Sequence, residues 1–121
     1  MRRRFNEGGY YERMQAGEFK TIRDTGTPRA EILEDYGPDT ISVETYYLDR
    51  DDNVIARVHH YEPPEGGVLF RDENGVLRTD GKPDPKTLFE DGVLYHQEKK
   101  KSKIGSRSAQ EYLHERHSRY E

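Results

Sequence analysis

Residues 40–62 read TISVETYYL-DRDDN-VIARVHHYE, and this stretch decides the fold. Along an extended chain, Ile41, Val43 and Tyr47 fall on one side, and Glu44, Tyr46 and Leu48 on the other. Asp49-Arg50-Asp51-Asp52-Asn53 is a polar turn cluster, after which Val54 to Glu62 resumes the alternation. The pattern predicts a β-hairpin closed by about 4–5 loop residues. On its second strand Val54, Ala56, Val58 and His60 share one face, and Ile55, Arg57, His59 and Tyr61 the other. Pro63-Pro64-Glu65-Gly66-Gly67 ends that strand, because proline has no N–H to give to a ladder.

Working outward, Val68-Leu69-Phe70-Arg71 and Val76-Leu77-Arg78-Thr79 flank Asp72-Glu73-Asn74-Gly75. The Asn-Gly pair supplies left-handed turn geometry, so a second hairpin is expected. Further on, Asp84 and Pro85 look like the cap and first position of a short helix running to about Phe89. Asp91-Gly92 then turns the chain into a last strand, Val93 to Gln97. Towards the N-terminus, Tyr10 to Ala16 predicts a helix that Gly17 stops. A second helix opens at Thr27-Pro28 and closes at Tyr36-Gly37-Pro38. Towards the C-terminus, Ser108 with Glu111 forms a capping box that predicts a helix to about Arg119, with a thin apolar face of Ala109, Tyr112 and Leu113, extended by Tyr120. The expected fold class is α+β: one small domain with a mostly antiparallel sheet of four or five strands, short helices and basic terminal arms.

The chain has 121 residues, enough for one domain. It is 31% hydrophobic and 36% charged, whereas globular chains average about 45–50% and about 25%. Its charge is sorted by position. Residues 1–29 carry 7 Lys/Arg against 4 Asp/Glu, residues 30–98 carry 6 against 17, and residues 99–121 carry 7 against 3. The expected organisation is therefore a basic N-terminal arm with a short helix (1–29), an acidic core domain (30–98) and a basic helical C-terminal arm (99–121). The absence of cysteine excludes disulfides, thiolate zinc sites and cysteine nucleophiles. Met1-Arg2-Arg3-Arg4 is followed by Phe5-Asn6-Glu7-Gly8 and not by the apolar run of a signal peptide. No stretch approaches a membrane span. A soluble, cytoplasmic protein with no membrane partner is expected.

The candidate chemistry is sparse. His59 and His60 are adjacent on a strand and point to opposite faces, so they cannot grip one metal ion together. His60 continues the more apolar face and is expected in the core with its ring nitrogens hydrogen-bonded. His59, beside Arg57 and Tyr61, is the better catalytic candidate, and His96 lies on the last strand where it could approach across the sheet. His114 and His117 share a helix face but lack a third ligand. Asp49–Asn53 resembles a calcium loop in composition only, since Val54 and His60 stand where glycine and a bidentate glutamate are needed. No phosphate loop, nucleophile elbow or cofactor motif is present, so no metal and no cofactor is expected. Arg2, Arg3, Arg4, Lys99, Lys100, Lys101, Lys103 and Arg107 are the candidate contacts to phosphates or to an acidic partner surface, with neighbouring tyrosines able to stack on bases.

The blocks Val58-His59-His60-Tyr61, Asp80-Gly81-Lys82-Pro83-Asp84-Pro85-Lys86-Thr87-Leu88 and Asp91-Gly92-Val93-Leu94-Tyr95 resemble small uncharacterised prokaryotic proteins. These share a histidine–tyrosine strand, a DGxPDPKxL segment and a DGxxY segment. The likeness spans residues 40–96 and implies one domain there; it implies no activity and no catalytic residue.

Three functional expectations follow. The leading one is a non-enzymatic binding or regulatory protein that meets a protein or nucleoprotein partner through charged surfaces, with RNA or DNA contact through the basic ends. The second is a small metal-independent ribonuclease of the toxin type, using His59, Tyr61, Arg57, Lys82 and His96 for acid–base and phosphate chemistry. The third is an acidic nucleic-acid mimic that occupies a partner's groove.

Overall fold

A computed structural model describes residues 1–96 of the chain. The decisive hairpin is present: β2 (Ile41–Leu48) pairs antiparallel with β3 (Val54–Glu62), with Thr45 opposite Val58 and Tyr47 opposite Ala56. The loop closes on Asp49, whose Oδ1 accepts from the backbone N–H groups of Asp51 and Asn53 at 2.9 Å each. Around this pair the chain builds a five-stranded sheet in the order β1-β2-β3-β6-β7, every neighbour antiparallel. The outer strands are β1 (Lys20–Gly26), β6 (Asp84–Glu90) and β7 (Val93–His96). The second hairpin, β4 (Phe70–Arg71) with β5 (Leu77–Arg78), forms as a small separate sheet. With three short helices, α1 (Arg2–Glu7), α2 (Tyr10–Gln15) and α3 (Ala30–Tyr36), the architecture is α+β, as expected from the sequence.

Two expectations are corrected. Asp84–Glu90 is a strand and not a capped helix. The Asp-Pro pair satisfies helix-start chemistry, but Thr87, Leu88 and Phe89 suit a pleated surface, and without β6 the Ala56–His59 edge of β3 would leave its backbone groups without partners. Pro85 sits opposite Val58 at a register shift, the kind of place where a strand tolerates proline. The turn into β7 agrees with this: Asp91 and Gly92 have φ of 52° and 79°, a two-residue loop that joins two strands.

The second correction concerns residues 1–29, which are part of the domain and not an arm beside it. Phe5 is completely buried and stacks on Tyr10 (centroids 5.8 Å apart) and against Tyr47 (6.1 Å). Together with Ala56, Val58 and Leu88 these rings form the main core on the first face of the sheet, and Met1, Tyr11, Met14 and Phe19 pack around it. Lys20–Gly26 then adds β1 to the free edge of β2, with its charged side chains outside, as natural edge strands carry them. The helix stops fall at the expected glycines: Gly17 has φ 85° and Gly37 φ 112°. Gln97 and the C-terminal helix expected over 108–119 lie outside the described residues.

Candidate functional site: the second face of the sheet

Cross-strand register fixes which side chains share a face. Ile22, Tyr46, Arg57, Thr87 and His96 form one row across all five strands. Asp24, Glu44, His59 and Asp84 form the next row, and Ser42 and Tyr61 a third. This is the face opposite Phe5 and the main core. At one end of it Ile32 of α3 packs against Tyr61 and Leu69 in a second, smaller cluster.

The polar groups of this face are tied to one another. Arg57 Nη1 donates to Glu44 Oε1 at 3.1 Å, and the arginine side chain is only 7% exposed. His59 Nε2 lies 2.6 Å from Ser42 Oγ, and its ring meets the Tyr61 ring edge-on at 4.6 Å. Asp84, 2% exposed, accepts from Arg2 Nη2 at 2.6 Å and from Lys86 Nζ at 3.0 Å. Burial pushes the His59 imidazolium down to about 4, and the Lys86 ammonium and His60 push the same way against the opposing pull of Glu44 and Asp84. At neutral pH His59 is therefore an uncharged imidazole, held by a hydroxyl and an aromatic ring.

Of the five residues expected to act together in a ribonuclease, Arg57, His59, Tyr61 and His96 are on this face. His96 is two strands from Arg57, with Thr87 between them. Lys82 is elsewhere: its ammonium pairs with Glu12 of α2 at 2.7 Å, because the loop before β6 runs beside that helix. Ser42, Glu44, Asp84 and Lys86 were not anticipated; only the pairing of β2 and β6 with β3 brings them to His59. His60, as expected, points to the first face, where its Nε2 is 2.8 Å from Glu62. Glu62 also takes a two-pronged contact from Arg23 at 2.5 and 2.7 Å, and Arg23 with His60 lowers its carboxyl to about 2.

The three N-terminal arginines are engaged within the domain. Arg2 holds Asp84, Arg3 pairs with Glu7, and Arg4 reaches Glu90 at 3.5 Å while lying over the Tyr95 ring. Lys99, Lys100, Lys101, Lys103 and Arg107, like His114 and His117, lie outside the described residues. Two clefts on the described surface lie away from His59. One of about 310 Å³ lies between α1 and the β4–β5 hairpin, near Arg2, Arg71, Arg78 and Lys82; another borders Phe19 and Arg50. Among the described residues no cluster of three or more histidine and acidic side chains is placed to hold a metal ion, and no helix is long and apolar enough to cross a membrane. No family of known proteins, no curated protein and no solved structure matches this chain.

Proposed function

We propose that this protein is a non-enzymatic binding module that receives a basic protein or nucleoprotein partner on its acidic surface. The observation that carries this reading is where the charges go. N-terminal cations are turned onto acidic groups of the sheet and its β2–β3 loop, through Arg2–Asp84, Arg4–Glu90, Arg23–Glu62 and Lys20–Asp52. Residues 1–96 still carry 20 Asp/Glu against 13 Lys/Arg, and α3 presents Glu31, Glu34 and Asp35 to solvent. A surplus of one sign raises the encounter rate with an oppositely charged partner and makes the association sensitive to salt.

The ribonuclease reading has less support. Phosphoryl chemistry on RNA needs cations that can turn to the phosphate and a base that can reach the 2′-hydroxyl. Here Arg57 is committed to Glu44, His59 to Ser42, and Lys82 to Glu12. Incubating the purified full chain with single-stranded RNA, beside the His59→Gln variant, tests the point. The expected result is no cleavage above background by either protein. Cleavage by the wild type that disappears in H59Q would overturn the non-enzymatic reading.

A further inference from the structure

β1 ends the sheet: among the described residues Lys20–Gly26 pairs with β2 on one side and with no strand on the other. A strand in that position presents a row of backbone N–H and C=O groups to whatever can pair with it. Every β1 residue but Asp24 is exposed, and Ile22, at 47%, puts an apolar side chain in the middle of that edge. Lys20, Ile22 and Asp24 stand on the second face of the sheet, and Thr21, Arg23 and Thr25 on the first.

We propose that the β1 edge pairs antiparallel with the β1 edge of a second copy of this chain, centred on Ile22, so that two five-stranded sheets join into one. Register selects this pairing. The two-fold axis between two antiparallel copies of one strand runs perpendicular to the sheet, so it keeps each face and sets opposite one another only residues of the same face. Centring on Arg23 sets Arg23 against its own copy, and centring on Asp24 sets Asp24 against its own; like charges directly opposite destabilise a strand pair. Centring on Thr21 or Thr25 joins only the ends of the strands. Centring on Ile22 sets Ile22 against Ile22 of the second copy and Lys20 against Asp24, twice over, with Thr21 against Arg23 on the other face. Within the chain Asp24 stands across from Glu44, a like charge, and a lysine on its open side offsets that repulsion. Lys20 already holds Asp52 at 2.9 Å, but that pair is exposed on both sides and exchanges at little cost. The charges that turn away an unmatched strand at this edge thus match the same strand in two-fold order. Pairing over Lys20–Asp24 makes a small interface, so the dimer dissociates on dilution.

Sedimentation velocity of the full chain over a range of concentrations tests the contact, with circular dichroism showing that each variant keeps its sheet. The wild type is expected to pass from monomer to dimer in the micromolar range. Asp24→Lys turns two opposite-charge pairs into two like-charge pairs and is expected to weaken the dimer by about tenfold or more. The exchange K20E/D24K restores both pairs and is expected to recover it. The chain has no native cysteine, so disulfide formation reads the register without background. Ile22→Cys, on the axis, is expected to cross-link several-fold faster than Thr25→Cys, whose two copies lie about 20 Å apart at about 3.4 Å per residue. A wild type that is monomeric at every concentration would overturn the proposal. So would a dimer indifferent to D24K, a dimer that the exchange does not recover, or equal cross-linking at the two positions, each of which places the contact elsewhere.

Discussion

Replacing Phe5 by alanine is expected to lower the unfolding free energy by about 3–5 kcal/mol, the usual range for deleting a buried aromatic ring. Phe5 has no exposed surface and touches Tyr10, Tyr47 and the β3–β6 floor, so its loss leaves a cavity that the surrounding rings cannot fill without leaving their stacked geometry. Against a total stability of about 5–15 kcal/mol, this is a large fraction of the domain's margin. Urea denaturation followed by circular dichroism measures it. Arg3→Ala, on a side chain 87% exposed two residues away, is the control and is expected to change stability by less than about 0.5 kcal/mol. A loss below about 1 kcal/mol for F5A would return residues 1–29 to the status of an appended arm.

Acidification is expected to cost the domain about 3 kcal/mol through His59 alone. The folded imidazole titrates near 4, and the unfolded one near 6.5. Between those values the unfolded chain binds the proton and the folded chain does not. The stabilisation is therefore complete above pH 6.5 and is lost as pH falls through the interval towards 4. Glu62 acts in the same direction at lower pH, since its carboxyl is held near 2 by Arg23 and His60, and its contribution goes as pH falls below the ordinary glutamate value. His59→Gln keeps a hydrogen-bonding group near Ser42 but cannot titrate. Its stability is expected to decline less steeply than the wild type's between pH 6.5 and 4, the carboxylates such as Glu62 accounting for what remains. Equal slopes in the two proteins would show that burial of His59 does not set its protonation.

The parts of the fold that were legible in the sequence are those where local chemistry and the tertiary structure agree. The alternation on either side of Asp49–Asn53 encodes the β2–β3 hairpin, and Asn74-Gly75, with Gly75 at φ 81°, encodes the second. Residues 84–90 were misread because Asp84-Pro85 carries a helix-start signature and its competitor is non-local. The demand for a strand there comes from the open edge of β3, about 28 residues earlier in the chain. A local signal for the strand did exist in Asp91-Gly92, because a left-handed two-residue turn needs a strand on each side. Lys20–Gly26 has no clean alternation and is a strand only because β2 offers it a ladder. The N-terminal arginines read as an arm because charge is visible in sequence and its partners are not; Asp84 and Glu90 are more than eighty residues away.

The candidate site was half legible for the same reason. Strand periodicity placed Arg57, His59 and Tyr61 together without the rest of the sheet. Register, which periodicity does not contain, brought in Ser42 and Glu44 from β2 and Asp84 and Lys86 from β6. Those four change the chemistry: Glu44 takes the arginine and Ser42 the histidine, while Lys86 and Asp84 pair with each other beside the ring, and an apparent catalytic row becomes a row of paired groups.

The most direct test of the acidic binding module is capture from the native host with the full chain, with protein and nucleic acid both quantified at low and high salt. It is run beside the variant E31Q/E34Q/D35N, which neutralises the exposed face of α3. The account predicts a basic protein or nucleoprotein retained by the wild type at low salt, released as salt rises, and retained several-fold less by the variant. Equal retention of the same material by both proteins, unaffected by salt, would contradict it.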